Sequence, residues 1–430
     1  MSFGIPVRNG LSIGLLASTF LTSGSGRLVP RLTLNFLTGA PLDSRITFTR
    51  STTATFVGSD GLIQSSAINA PRFDYNPATL APRGLLIEEQ RVNLLLYSEQ
   101  FDNVLWIKSN ATVTANAATS PDGTTNADKL LDSITNTTHA VNQVAVAAAV
   151  AGVTYTFSVF IKAAERGFAF VGIIGGALNT PFVSIDLTTG SVAAVNGTVV
   201  SSSSTAFGNG WWRVTITATT IAIGNVTPEI RVSANGLWAN RVYVGNGTGI
   251  FVWGAQLEAG SFATSYIPTV ASTVTPAADN ATMTGTNFSS WFNASEGTFV
   301  ASAAVLSTAS NRGVYAASDG SDVNELFHYV STTANNLVTT ASVAQANVII
   351  SGPVSINTVF SDAFAYREND ISAAFNGVLG TPDTSATLPV VSQLRLGARG
   401  DAALRLNGHL RTLTYYATRL TNAQLQALSA

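Results

Sequence analysis

The chain is 430 residues long with a formal net charge of −2, and only 11% of its residues are charged, against roughly 25% in an ordinary soluble domain. The near balance of Lys+Arg 22 and Asp+Glu 24 excludes a global field that would gather nucleic acid or an acidic membrane. Cysteine is absent, which excludes a disulfide framework, a thiol nucleophile and a Cys-based metal site.

Ser, Thr, Asn and 36 glycines take the place of charge. Thr and Val favour strands, and Asn and Gly favour tight turns, so this composition suits β-structure. With 22 Phe, 10 Tyr and 6 Trp, the chain is too aromatic for a disordered one. The longest apolar run, Val144–Val153, is mostly alanine and falls short of the about 20 residues a spanning helix needs. No membrane span is expected.

In chain order, the first segment carries a single Arg8 before Leu11–Phe20, and its Gly and Ser interruptions argue against a secretory signal. The first fifty residues hold five arginines and one acid, Asp43, so they carry +4 and the rest carries −6 of the net −2. Residues 1–44 therefore read as a basic docking arm toward a charged partner. Residues 45–96 read as a small β-rich region, with strand-like Ile46–Thr49 and Ala54–Val57 and then closely spaced prolines that forbid helix. Leu85–Leu96 fits either a strand or a short helix.

Residues 97–270 alternate in short runs such as Val153–Ile161, Trp212–Ala218 and Gly249–Glu258, each bounded by Gly or Asn, the pattern of a sandwich or jelly roll. Residues 271–295, rich in Thr, Ala, Pro and Ser, read as a linker. A second β-run fills 296–430 and closes on a short helix capped by Thr421 or Asn422. No period of 20–50 residues recurs, which disfavours a solenoid or propeller. The expected fold is all-β: two tandem jelly-roll/β-sandwich domains behind an irregular N-terminal arm and a small β-region.

Three strings resemble known families. Arg50–Ile63, continuing through Pro71–Tyr75 and Arg83–Leu96, resembles the segment that opens many bacteriophage tail-fibre and minor virion proteins. Phe101–Trp106, Pro121–Leu130 and Trp253–Pro268 are similar to the carbohydrate-binding-module jelly roll that follows in those proteins. Ala365–Asp370, Leu394–Arg399 and Leu406–Arg411 are similar to a laminin-G-like, concanavalin-type sandwich. The resemblance implies a virion protein exposed on the particle exterior, most simply a tail-fibre or receptor-binding component that touches bacterial surface glycan. Its expected partners are other virion proteins through the arm, further copies of itself (fibres are often trimers) and bacterial polysaccharide. A decoration protein that binds no sugar and a polysaccharide depolymerase are the alternatives.

The residues offer little catalytic chemistry. His139, His328 and His409 lie far apart in sequence, without metal or relay spacing, and the Asn-Gly-His string suggests a surface or packing role for His409. Glycoside hydrolysis needs two convergent carboxylates. Glu88, Glu89, Glu165, Glu229, Glu258, Glu296, Glu325 and Glu368 form no such pattern, and Glu258 reads as structural. No catalytic residue and no organic cofactor are therefore expected. Asp319 and Asp322, with Asn324 and Glu325 nearby, offer oxygen ligands on a loop for a Ca2+ ion, without the EF-hand spacing.

Sugar rings stack on aromatic faces, so Trp211, Trp212 and Trp238 are the candidate glycan-binding residues. Strand alternation sends one member of the Trp211-Trp212 pair inward and the other outward. No Gly-rich phosphate loop is present. The eight Asn-x-Ser/Thr sequons follow from the composition and are discounted.

Overall fold

A computed structural model describes residues 28–39 and 41–430. The first twenty-seven residues, which carry much of the expected docking arm and the segment weighed as a signal, lie outside the described residues. The architecture is all-β, built from two sandwiches.

The jelly roll is built from strands lying between Ile107 and Ala259. One sheet has seven strands: Val192–Asn196, Phe182–Asp186, Phe168–Ile174, Gly224–Ser233, His139–Asn142 and Ile107–Ser109 in order, with Val146–Ala149 also on Gly224–Ser233. The facing sheet has six: Ser201–Ala206, Trp211–Thr219, Thr154–Ala163, Gly249–Ala259, Ala127–Asp132 and Ala111–Ala118. Side chains alternate across a strand, so Phe157, Val159 and Ile161 point into the core beside Val214, Ile216, Val171 and Ile230. Trp106 and Phe101 close one end, their ring centroids 4.7 Å apart.

The second sandwich is not contiguous in sequence. Its eight-stranded sheet runs Val378–Leu379, Ser372–Phe375, Phe360–Arg367, Glu296–Val305, Gly408–Tyr416, Pro82–Ile87 and Phe73–Tyr75, and Leu32–Asn35 also pairs with Gly408–Tyr416. Its seven-stranded sheet runs Thr47–Thr49, Asn280–Thr284, Gln393–Leu396, Arg312–Ser318, Glu325–Val330, Ala334–Thr340 and Val343–Ile350. Phe299, Tyr315, Phe364, Val338 and Leu413 fill the space between them.

Three expected boundaries are therefore redrawn. Leu32 and Leu34, placed in the docking arm, are core residues, with Leu34 opposite Leu413. The region 45–96 supplies strands to the second sandwich rather than a unit of its own, and Leu85–Ile87 is strand, not helix. Within the supposed linker, Asn280–Thr284 joins Thr47–Thr49 to Gln393–Leu396. A strand's sequence shows that it has an apolar face but not which partner covers that face, and this explains the difference.

The jelly roll is thus inserted into the second sandwich. The chain leaves at Ile87 and returns at Asn280 by two segments that run side by side. Asp279 N–H donates to the Glu88 carbonyl at 3.0 Å, Asn93 bridges to Val274, and Tyr97 N–H donates to the Val270 carbonyl at 2.8 Å. Gly84 sits at φ +118, where a side chain would collide with the Leu410 carbonyl. Only glycine lets this outgoing strand approach Gly408–Tyr416 so closely. At the C-terminus, Asn422–Ser429 is helical, with the expected cap: Thr421 and Gln424 form a reciprocal capping box.

Candidate functional site: a groove between the sandwiches

The outer face of the six-stranded sheet, turned away from the jelly-roll core, is unusually polar. Cross-strand register places Ser201, Thr217, Thr156 and Glu258 in one row and Ser203, Thr215, Ser158 and Gln256 in the next. A third row is Thr205, Arg213, Phe160 and Trp253. The hydroxyls pair across strands: Thr156 with Thr217 at 2.9 Å, and Ser203 with Thr215 at 2.7 Å.

One end of these rows is closed. Thr264 covers Glu258, donating N–H at 3.0 Å and its hydroxyl at 2.5 Å, and Gln256 Nε2 donates to Glu258 at 2.7 Å. Burial pushes the Glu258 carboxyl up. The structural role expected of Glu258 matches these contacts. Toward the edge strand Ser201–Ala206, the rows open to solvent and form the floor of a groove of about 200 Å³.

The walls come from the other body and its hairpin: Thr55, Phe56, Val57 and Ile63 on one side, Ile356 and Asn357 on another, with Phe262 and Tyr266 beside the floor. Ile63 N–H donates to the Pro121 carbonyl at 2.9 Å, which ties the hairpin Ala54–Val57/Ile63–Ser66 to the jelly roll. Phe160 meets Phe207 edge to face at 4.9 Å and Trp253 at 5.3 Å.

The groove's charged groups fall into two sets. On the far wall, His409 Nε2 lies 2.8 Å from Asp74 Oδ2, with Arg83 3.7 Å from the same oxygen, and Val57 N–H donates to Asp74 Oδ1 at 2.7 Å. Burial works against the Asp74 charge, but the His409 contact, the Val57 N–H and the Arg83 charge together outweigh it and hold the carboxyl below its usual range. His409, read from sequence as a surface or packing residue, is a buried, packed residue of the groove wall. On the floor stands Arg213, whose Nη2 donates to Ser158 Oγ at 3.0 Å and whose guanidinium lies 5.5 Å from the Phe160 ring centre. Glu88 reaches the groove as well, but Arg72 and Ser265 hold it.

Each of the candidate tryptophans makes packing contacts. Trp211 is buried on the outer face, and its Nε1 donates to the Thr119 carbonyl at 3.0 Å. Trp212 turns to the core side, donates to the Leu187 carbonyl at 3.1 Å and lies against Gly190. Trp238 is half-buried on the one-turn helix Trp238–Asn240 over the other sheet, 4.9 Å from Phe182 and 5.3 Å from Phe170 between ring centroids. The Arg231 and Arg241 guanidiniums approach its ring to 5.3 and 5.0 Å. The three do not share a site. The Phe160–Arg213–Thr215–Thr217 face went unrecognised, although its outward parity follows from the same alternation as Trp211.

The two loop acids also point apart. Asp319 accepts from Ser321 N–H at 2.9 Å and Asn324 Nδ2 at 2.8 Å, whereas Asp322 faces Arg399 at 3.2 Å. Among the described residues, no group of three or more His, Asp or Glu side chains is placed to hold a metal ion.

No protein-family model matches the chain, and no curated protein matches it. Among solved structures there is partial likeness to the carbohydrate-binding module (CBM40) of the Ruminococcus gnavus IT-sialidase bound to α2,3-sialyllactose. Its TM-score is 0.27 at 14% identity, covering 32% of this chain and 84% of that one. A SAP-like pentraxin from Limulus polyphemus matches with a TM-score of 0.26 at 9% identity, covering 31% of this chain and 70% of that one. A variant NanB sialidase of Streptococcus pneumoniae matches with a TM-score of 0.29 at 12% identity, covering 35% and 26% respectively. Likeness this partial carries no functional argument.

Proposed function

We propose that this chain is a bacteriophage virion protein, a tail-fibre or receptor-binding component, that contacts a bacterial surface glycan through the groove between its two sandwiches. The observation that carries the glycan reading is the groove floor. It combines a hydroxyl ladder with a guanidinium, beside the half-buried rings of Phe56 and Phe207, the mixture of apolar surface and convergent polar groups that recognises a small polar ligand. The virion assignment rests on the sequence strings Arg50–Ile63 and Arg83–Leu96. Assembly as a homo-oligomer on the particle exterior belongs to the same proposal. So does a purely binding role: the groove carboxylates Asp74 and Glu88 are both engaged by cationic partners, which leaves no free acid pair for hydrolysis.

A second reading, a decoration protein that binds no sugar, draws support from the tryptophans, four of which are buried. Two measurements on intact material separate the readings. Gold-labelled antibody against residues 296–430 should mark the distal tail of particles, and purified full-length protein should adhere to host cells and slow adsorption. Gold spread over the head, together with no adhesion, sinks the receptor-binding reading.

A further inference from the structure

Arg213 differs from every other cation near the groove. Arg83 lies by Asp74, and Arg72, behind the wall, is held by Glu88 and Asp279. Arg213 has no carboxylate within ion-pair distance among the described residues, only the Ser158 hydroxyl. Its Nε, like that of Arg72, is buried with no hydrogen-bond partner, so the missing carboxylate is what sets Arg213 apart. Leaving a charged donor unsatisfied in a desolvated place is costly, and such groups are normally paired. Glu258, the acid acting on it most strongly, is already committed to Gln256 and Thr264.

The surroundings hold the guanidinium in place. It lies over Phe160, an arrangement that orients the planar fork. Cross-strand neighbours Thr205 and Phe160 flank it, and the Thr215–Ser203 hydroxyl pair sits one row away. A guanidinium beside exposed hydroxyls fits a carboxylate carried on a sugar ring. The fork would take the carboxylate and the exposed Ser and Thr side chains the sugar hydroxyls, while the buried Phe160 ring holds the guanidinium in place.

We infer that the groove selects an acidic glycan, one bearing a carboxylated sugar, and that Arg213 is the anchor for its carboxylate. This inference rests on the glycan-binding reading and narrows it. The other groove charges support it, because Asp74 is hydrogen-bonded to His409 and lies 3.7 Å from the Arg83 guanidinium, which offsets its repulsion of an incoming anion.

The test uses full-length protein against purified bacterial capsular polysaccharides that contain hexuronic or nonulosonic acids, each beside its carboxyl-reduced form. The expected result is binding to at least one acidic polymer, lost on carboxyl reduction and weakened about ten-fold or more in Arg213→Gln. Arg213→Lys, which keeps the charge but loses the fork, should fall between the two, and the melting temperature of each variant reports whether the fold is intact. Equal binding to the acidic and reduced forms, unaffected by Arg213→Gln, overturns the inference and leaves the glycan reading standing. Binding to neither form overturns both.

Discussion

Glu88 and Asp279 stand 191 residues apart in the chain, yet Glu88 N–H donates to Asp279 Oδ2 at 2.9 Å and Asp279 N–H returns a bond to the Glu88 carbonyl at 3.0 Å. They close the stem from which the jelly roll grows. Arg72 bridges both carboxylates, reaching Glu88 at 2.7 Å and forming a close ion pair with Asp279. Arg50 adds a second contact to Asp279 at 3.1 Å. Burial alone would lower the Arg72 pKa, but the two acids outweigh it and raise it.

Breaking that bridge should be severe. Arg72→Leu leaves Glu88 and Asp279 buried without their shared cation, and removing one partner of a buried ion pair costs about 3–5 kcal/mol. Urea denaturation should show this loss. A change below about 1 kcal/mol would mean that Arg50 and the backbone already satisfy both acids.

Filling the groove should abolish recognition without harming the fold. Ser203 lies on the exposed edge strand, and Trp is well accepted in strands. Ser203→Trp should therefore change stability by no more than about 0.5 kcal/mol and eliminate adhesion to host cells. Retained adhesion would move the binding surface elsewhere.

Trp238 offers the opposite test. Truncation to Ala strips the cover from Phe170 and Phe182 and should cost about 2 kcal/mol, below the range for a fully buried Trp, while glycan binding stays unchanged. Loss of binding at full stability would restore Trp238 as a sugar platform.

The second sandwich carries its own pH signature. Asp362 and His328 face each other across its interior at 3.5 Å, both without solvent exposure. Burial pushes Asp362 up from 3.8 to about 8 and His328 down from 6.5 to about 3. The Asp362 contribution to stability is full below pH 3.8 and lost as pH rises through about 8, whereas that of His328 is full above 6.5 and lost as pH falls through about 3. Melting temperature should therefore peak on the acid side of neutrality. Asp362→Asn should flatten its alkaline decline, and an unchanged decline would assign it to other groups.

Added calcium gives one more measurement. Because the Asp319 oxygens accept from Ser321 and Asn324 while Asp322 faces Arg399, millimolar Ca2+ should leave the melting temperature unmoved. Ion binding to the native state alone would raise it by mass action.

Much of the fold was legible because alternation is a local property. Thr154–Ala163 and Trp211–Thr219 show their inner and outer faces in single-residue steps, and Thr421 with Gln424 marks a helix start within four residues. The all-β class follows from such patterns. The identity of each strand's partner does not. Leu32–Asn35 pairs with Gly408–Tyr416, and Thr47–Thr49 with Asn280–Thr284, because burial rewards any complementary apolar face regardless of its distance along the chain. The groove depends on the same non-local choice. Alternation puts Arg213, Thr215 and Thr217 on one face without saying which, and only the docking of Asp74, His409 and the Ala54–Val57 hairpin across that face makes it a groove.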